Sequence, residues 1–136
     1  MTKLKITERR NEAITILDIE GNITLGETSA ELRKTLRLLV DKEEKKVLLN
    51  MENVSYIDSS GLGELVSAYT TFEKNEGELK LFHLSPRVHQ LMTMTKLLTV
   101  FDVFDSETEA VSSFTNVTVA DFNNVPLKSA YVSKLQ

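Results

Sequence analysis

From Thr24 onward the chain alternates between two patterns, and that alternation limits the folds open to it more than any other feature. Stretches with apolar residues at helical spacing are separated by short apolar runs of strand length, in the order helix, strand, helix, strand, helix, strand, helix. Leu25, Leu32, Leu36 and Leu39 mark the first helix, which should end near Asp41. Thr24 or Thr28 is placed to cap it, and Glu27 and Glu31 suit the positive end of its dipole. Val47-Leu48-Leu49-Asn50-Met51 is a nearly continuous apolar run, as on a strand buried on both faces. Leu62, Leu65, Val66, Tyr69 and Phe72 form the second helical stripe, closed by Gly77, and Leu79, Leu81 and Phe82 form the next strand. Ser85-Pro86 predicts a capped helix start, with Val88, Leu91, Met92 and Met94 as the apolar face. Residues 100–104 read as a last buried strand. Ser106 then caps a final helix, with Glu107 and Glu109 in its first turn and Ala110, Val111 and Phe114 packing inward.

Ahead of this series lies a hairpin. Leu4 and Ile6 alternate with polar residues, Asn11-Glu12 forms a turn, and residues 13–19 read as a second strand that Gly21-Asn22 breaks. On it, Ile14, Ile16 and Asp18 fall on one side and Leu17 and Ile19 on the other. Strands that alternate with helices need crossover connections, so the sheet should be mixed and largely parallel, with helices on at least one face. The expectation is an α/β domain with an N-terminal hairpin and about four helices.

The chain has 136 residues, 41% of them hydrophobic and 26% charged, enough for one domain with its own core. It contains no cysteine, which excludes a disulfide framework, thiol catalysis and thiolate metal sites. A net charge of −4 argues against nucleic acid as a partner. No apolar run suits a membrane span, and Lys3 and Lys5 are not followed by a signal core, so a cytoplasmic protein is expected. Residues 115–136 differ from the rest: Val117 and Val119 alternate, while Asn123-Asn124 and Pro126 break any long element. An added edge strand, a partner-binding arm and a partly disordered tail all fit that composition.

The stretch that carries chemistry is Asp58-Ser59-Ser60-Gly61-Leu62-Gly63, between a buried strand and an amphipathic helix. Functional loops gather at the carboxyl ends of strands in alternating sheets, and here an acid and two hydroxyls meet a helix N-terminus. The plainest role is a cap, with Asp58, Ser59 or Ser60 accepting a hydrogen bond from the first-turn amides. Gly61 and Gly63 would keep the helix start free of bulk, so that another chain approaches closely.

Tyr56-Ile57-Asp58-Ser59-Ser60-Gly61-Leu62-Gly63 resembles the signature of bacterial anti-sigma-factor antagonists, founding members of the STAS-domain family. Gly21-Asn22-Ile23-Thr24 resembles the turn between that family's second strand and first helix. Val47-Leu48-Leu49-Asn50-Met51 is similar to its central strand, residues 77–83 to its next strand, and Ser85-Pro86-Arg87-Val88 to the start of its third helix. The resemblance spans about residues 4–114, which implies a STAS-like domain over 1–114 and a C-terminal extension over 115–136.

The resemblance implies that Ser59 is phosphorylated by the partner, an anti-sigma factor that is also an ATP-dependent serine kinase. The unmodified form would bind that kinase, the phosphorylated form would not, and a serine phosphatase would reset it. No cofactor and no catalytic activity are implied. Asp58 would orient the loop and help recognise the partner, and Ser60 would cap the helix or act as a second acceptor. Leu62, Gly63 and Gly61 would belong to the contact surface, joined by Gly21, Asn22 and Thr24. The resemblance leaves monomer and homodimer both open. Where the family often has a small residue after the third helix, this chain has Lys96, in Met94-Thr95-Lys96-Leu97.

Two other readings compete. Ser59, Asp58 and His83 or His89 include the residue types of a hydrolase triad, but the turn lacks the Gly-x-Ser-x-Gly spacing of a nucleophile elbow. Two histidines without an acidic cluster make no metal-ligand pattern. The non-enzymatic rival is a STAS scaffold or accessory subunit in a stress-signalling or lipid-transport assembly, which would use the same face differently.

Overall fold

The computed structural model describes residues 3–115, so all but the first residue of the expected C-terminal extension lies outside the described residues. Five strands form one sheet in the order β1 (Lys5–Asn11), β2 (Ile14–Ile23), β3 (Lys46–Ile57), β4 (Glu78–Phe82) and β5 (Val103–Phe104). β1 pairs antiparallel with β2, and every other pairing is parallel. Helices α1 (Glu27–Asp41), α2 (Ser59–Lys74) and α3 (Pro86–Met94) make the crossovers, and α4 (Glu107–Thr115) follows β5. The mixed sheet, the hairpin and the four helices are those the alternation predicts.

Side-chain alternation sorts the apolar residues onto two faces. Leu17 and Ile19 of β2, Val47, Leu49 and Met51 of β3 and Leu79 and Leu81 of β4 share a core with Leu32, Leu36 and Leu39 of α1, Leu65 and Phe72 of α2, and Val88 and Met92 of α3. On the opposite face Ile14, Ile16, Leu48 and Phe82 meet Ala110 and Phe114 of α4. Leu48 and Leu49 therefore look in opposite directions, which is why the sequence of β3 is apolar without interruption.

Polar side chains fasten α4 to its face. The Arg9 guanidinium spans Asp18 (2.6 and 3.0 Å) and Glu107 (2.9 and 2.8 Å), and Asn50 donates to the same Asp18 carboxylate at 2.8 Å. Hydrogen bonds from Arg9 hold both carboxyls below their ordinary values. Lys80, 8% exposed, donates to Ser113 Oγ at 3.0 Å, with Nζ 4.6 Å from the Phe114 ring centre. A charge this well buried is held by polar and aromatic partners together, and Glu78 at 3.3 Å supplies the countercharge.

The structure corrects several local expectations. Gly21-Asn22 does not end β2; the strand absorbs the irregularity as shifts of register against β3 and runs on to Ile23. β3 is longer than the apolar run, because Val54 and Ile57 continue its inward face beyond Met51. Leu25 is not a helix core residue: α1 starts after Gly26, no side chain caps it, and Leu25 is 79% exposed. Thr28 Oγ1 instead accepts the Thr24 N–H at 2.9 Å, securing the turn. Met94 is 70% exposed at the end of α3, whose short face is filled by Val88 and Met92. Of residues 100–104 only Val103 and Phe104 form a strand, and a 3₁₀ turn at Leu97–Thr99 precedes them. That turn begins at Lys96, which holds a left-handed φ of 65°, a conformation that suits a small residue.

Candidate functional site

The site lies where β2 and β3 end and α1 and α2 begin. β3 delivers Asp58 in an extended conformation, φ −99° and ψ −173°, and α2 starts at the next residue. The Asp58 N–H donates to the Ile23 carbonyl at 3.1 Å, which ties the two strand ends together. One carboxylate oxygen, Oδ1, accepts the Gly61 N–H at 3.0 Å, and the other, Oδ2, accepts the Leu25 N–H at 2.9 Å. Those amides, Leu25 first and Gly61 second, hold the Asp58 carboxyl below its ordinary value. Asp58 is thus both the cap of α2 and the tether of the turn from β2 to α1.

The capping role leaves the serines unoccupied. Ser59 is the first residue of α2 and is exposed, and no hydrogen bond among the described residues engages its hydroxyl. Ser60 is half-buried and does not cap the helix, because Asp58 has already taken the first-turn amide that a serine cap would serve. The Ser59 hydroxyl is therefore an exposed group at the helix start that takes no part in capping it.

The two glycines of the motif do different things. A Cβ on Gly61 would lie 2.5 Å from the Ile23 carbonyl oxygen and 2.6 Å from Ile57 Cγ1, so its bareness lets α2 seat against the strand ends. Gly61 is buried and shapes the surface from beneath, a correction to the expectation that it faces an approaching chain. Gly63 is exposed, and a Cβ there would meet nothing within 4 Å. Leu62 is 8% exposed and packs into the main core.

The Gly21-Asn22-Ile23-Thr24 segment is brought only partly to this place. The Thr24–Gly26 turn is bound to Asp58 through Leu25, whereas Gly21 lies in the sheet, where a Cβ would meet the Lys3 carbonyl oxygen at 3.0 Å. Asn22 is half-buried. Leu25 is the surface residue that sequence reasoning missed. The available signal was Gly26, since a glycine inside the first turn of a longer helix is unfavourable and marks a start after it.

The residue types of a triad do not assemble. Both Asp58 oxygens face backbone amides, and His83, with a left-handed φ of 59°, has its Nδ1 3.6 Å from Glu52 Oε1. His89 is exposed on α3. Among the described residues no group of three His, Cys, Asp or Glu side chains is placed to hold a metal ion.

Comparison with known proteins agrees with this fold. Residues 5–110 match the STAS domain. The chain is 31% identical over 106 residues to an anti-sigma-B factor antagonist of Listeria monocytogenes, covering 78% of this chain and 91% of that protein. It is 24% identical over 110 residues to an anti-sigma F factor antagonist of Paenibacillus polymyxa, covering 80% of this chain and 93% of that one. Among solved structures, the phosphorylated form of the Bacillus cell fate determinant SpoIIAA superposes with a TM-score of 0.64 at 17% identity, covering 81% of this chain and 99% of that one.

Proposed function

The chain belongs to the STAS-domain family, beside relatives named anti-sigma-factor antagonists, and we propose that it works as such an antagonist by partner switching at Ser59. In this reading the unmodified domain binds an anti-sigma factor with serine kinase activity through the start of α2 and the neighbouring turn. The kinase then transfers phosphate to Ser59. The Ser59 oxygen forms a bond to the γ-phosphorus of ATP, the bond to the ADP oxygen breaks, and the hydroxyl proton passes to a base on the kinase. A serine phosphatase hydrolyses the ester and restores the binding form. The protein supplies no catalytic group and no cofactor, and it acts in the cytoplasm, where its targets lie. No helix among the described residues is long and apolar enough to cross a membrane.

The observation that carries this reading is the exposed Ser59 hydroxyl, which makes no hydrogen bond among the described residues because Asp58 performs the capping. A phosphate there adds about −1.5 to −2 charges beside the Asp58 carboxylate. Helix α2 offers its positive end to the anion, so the free domain keeps its fold. A closely packed partner surface meets bulk, repulsion and a desolvation cost, so the complex dissociates.

Peptide mass spectrometry of the chain from its native cell, with and without phosphatase treatment, should place a phosphate on Ser59. In calorimetry against the host's anti-sigma-factor kinase, Ser59→Ala should bind and Ser59→Asp should not. Equal binding by the two variants refutes the switch. A Ser59 that stays unmodified under every growth condition favours the scaffold or accessory-subunit role instead.

A further inference from the structure

We infer that Asp58 is a positioning residue that couples the state of Ser59 to the turn between β2 and α1, presenting Leu25 as an apolar anchor for the kinase and releasing it when Ser59 carries a phosphate. The inference rests on the proposed switch and deepens it. Three observations carry it.

First, Leu25 is 79% exposed, the most exposed large hydrophobic side chain among the described residues. Second, it sits beside the modified serine: its N–H donates to Asp58 Oδ2 at 2.9 Å, and Asp58 immediately precedes Ser59. A kinase whose active site reaches Ser59 Oγ must cover the helix start and this turn with it. A leucine on such a surface needs an apolar pocket on the partner, and buried apolar anchors near the centre of an interface carry much of its affinity.

Third, the turn is secured differently along its length. Thr24 is held from within α1, its N–H by the Thr28 hydroxyl and its carbonyl by the Ser29 N–H. Gly26 accepts the Ala30 N–H. Leu25, between them, is held among the described residues by Asp58 alone. A phosphate on Ser59 repels the Asp58 carboxylate and competes with it for the first-turn amides, including that of Gly61. The carboxylate has two amides to keep, and the Leu25 bond is the one outside the helix. Its loss frees the backbone of the anchor while leaving Thr24 and Gly26 in place. Phosphorylation thus acts twice on the partner, by charge at Ser59 and by withdrawing the ordered leucine.

The test uses the full chain with phosphoserine installed at position 59 during translation, so that it does not depend on finding the kinase. Amide hydrogen exchange by NMR should speed up at Leu25 by about fivefold, the ratio expected for loss of one ordinary hydrogen bond. The Leu62 amide, which donates to the Asp58 backbone carbonyl, should not change. Asp58→Asn should reproduce part of the effect at Leu25 without phosphate. An unchanged Leu25 amide in the phosphorylated chain overturns the coupling and leaves the switch itself standing. In calorimetry, Leu25→Ala should weaken kinase binding about tenfold or more with no loss of fold, since the side chain touches solvent. If Leu25→Ala binds as the unmodified chain does while Ser59→Asp fails, the anchor is wrong and the switch stands. If both bind normally, the proposed function fails with it.

Discussion

Helices α2 and α3 start at the same end of the sheet, each preceded by a strand and each bearing a serine at the junction, yet the two serines have opposite fates. At α3 the serine is the cap. Ser85 Oγ accepts the Val88 N–H at 3.3 Å and donates to the Val54 carbonyl at 3.1 Å, so the hydroxyl is consumed in joining α3 to β3. At α2 an aspartate is the cap, and the serine falls one position later, on the outside. One residue of offset separates a hydroxyl consumed in capping from an exposed one. A serine at a helix start therefore says little until the capping residue has been identified.

Substitutions can strain or sharpen this contrast. The largest effect is expected at Gly61, where the seat of α2 is tightest. With a Cβ 2.5 Å from the Ile23 carbonyl oxygen, Gly61→Ala should destabilise the domain by about 2 kcal/mol in urea unfolding. Next comes the serine pair itself. Ser85→Ala should cost about 1 kcal/mol and leave kinase binding intact, whereas Ser59→Ala should change stability by less than about 0.5 kcal/mol. Equal losses at the two positions would mean that both hydroxyls are structural.

Acid should separate the two starts as well. The folded Asp58 carboxyl lies below its ordinary value of 3.8, so its contribution is complete above that value and is lost as pH falls through the lower, folded one. Amide exchange followed downward from pH 5 should show Leu25 and Gly61 losing protection while Val88, capped by a hydroxyl that does not titrate, keeps its own. The smallest effects are gains. Gly63→Ala, in a helix with open space around the new methyl, should add about 0.5–1 kcal/mol to stability and weaken kinase binding. Lys96→Gly should add about as much by relieving the left-handed backbone ahead of the 3₁₀ turn.

The sequence made the layered α/β architecture legible because each long element carries its own period. Leu32, Leu36 and Leu39 recur at the helical spacing of a buried face, and the continuous run Val47-Leu48-Leu49 suits a doubly buried strand. Elements defined by tertiary pairing were harder to read. β5 is a strand solely because the Leu81 and His83 amides bond to carbonyls of the segment 102–104, and nothing local in residues 100–104 marks where the pairing begins. The passage of β2 through Gly21 depends on β3 accommodating a shift of register. At the site, Asp58 and Ser59 were visible as a motif, and their division of labour was not. It is decided by the Gly61 N–H, which bonds to Asp58 rather than to a serine, and the second bond of that carboxylate goes to Leu25, 33 residues away, whose spacing suits a helix core that it does not join.

The clasp made by Arg9 has a consequence for how the protein comes into being. It joins β1 to α4 across 98 positions of sequence, so Arg9 on an early strand waits for a helix made much later before it meets Glu107. Until Glu107 and Phe114 emerge, Ile14, Ile16, Leu48 and Phe82 have no cover from α4. A nascent chain stalled short of α4 presents an open apolar sheet face, the kind of surface that chaperones and aggregation compete for. Arrival of α4 is thus the step that closes this face of the sheet, and it comes last among the described elements.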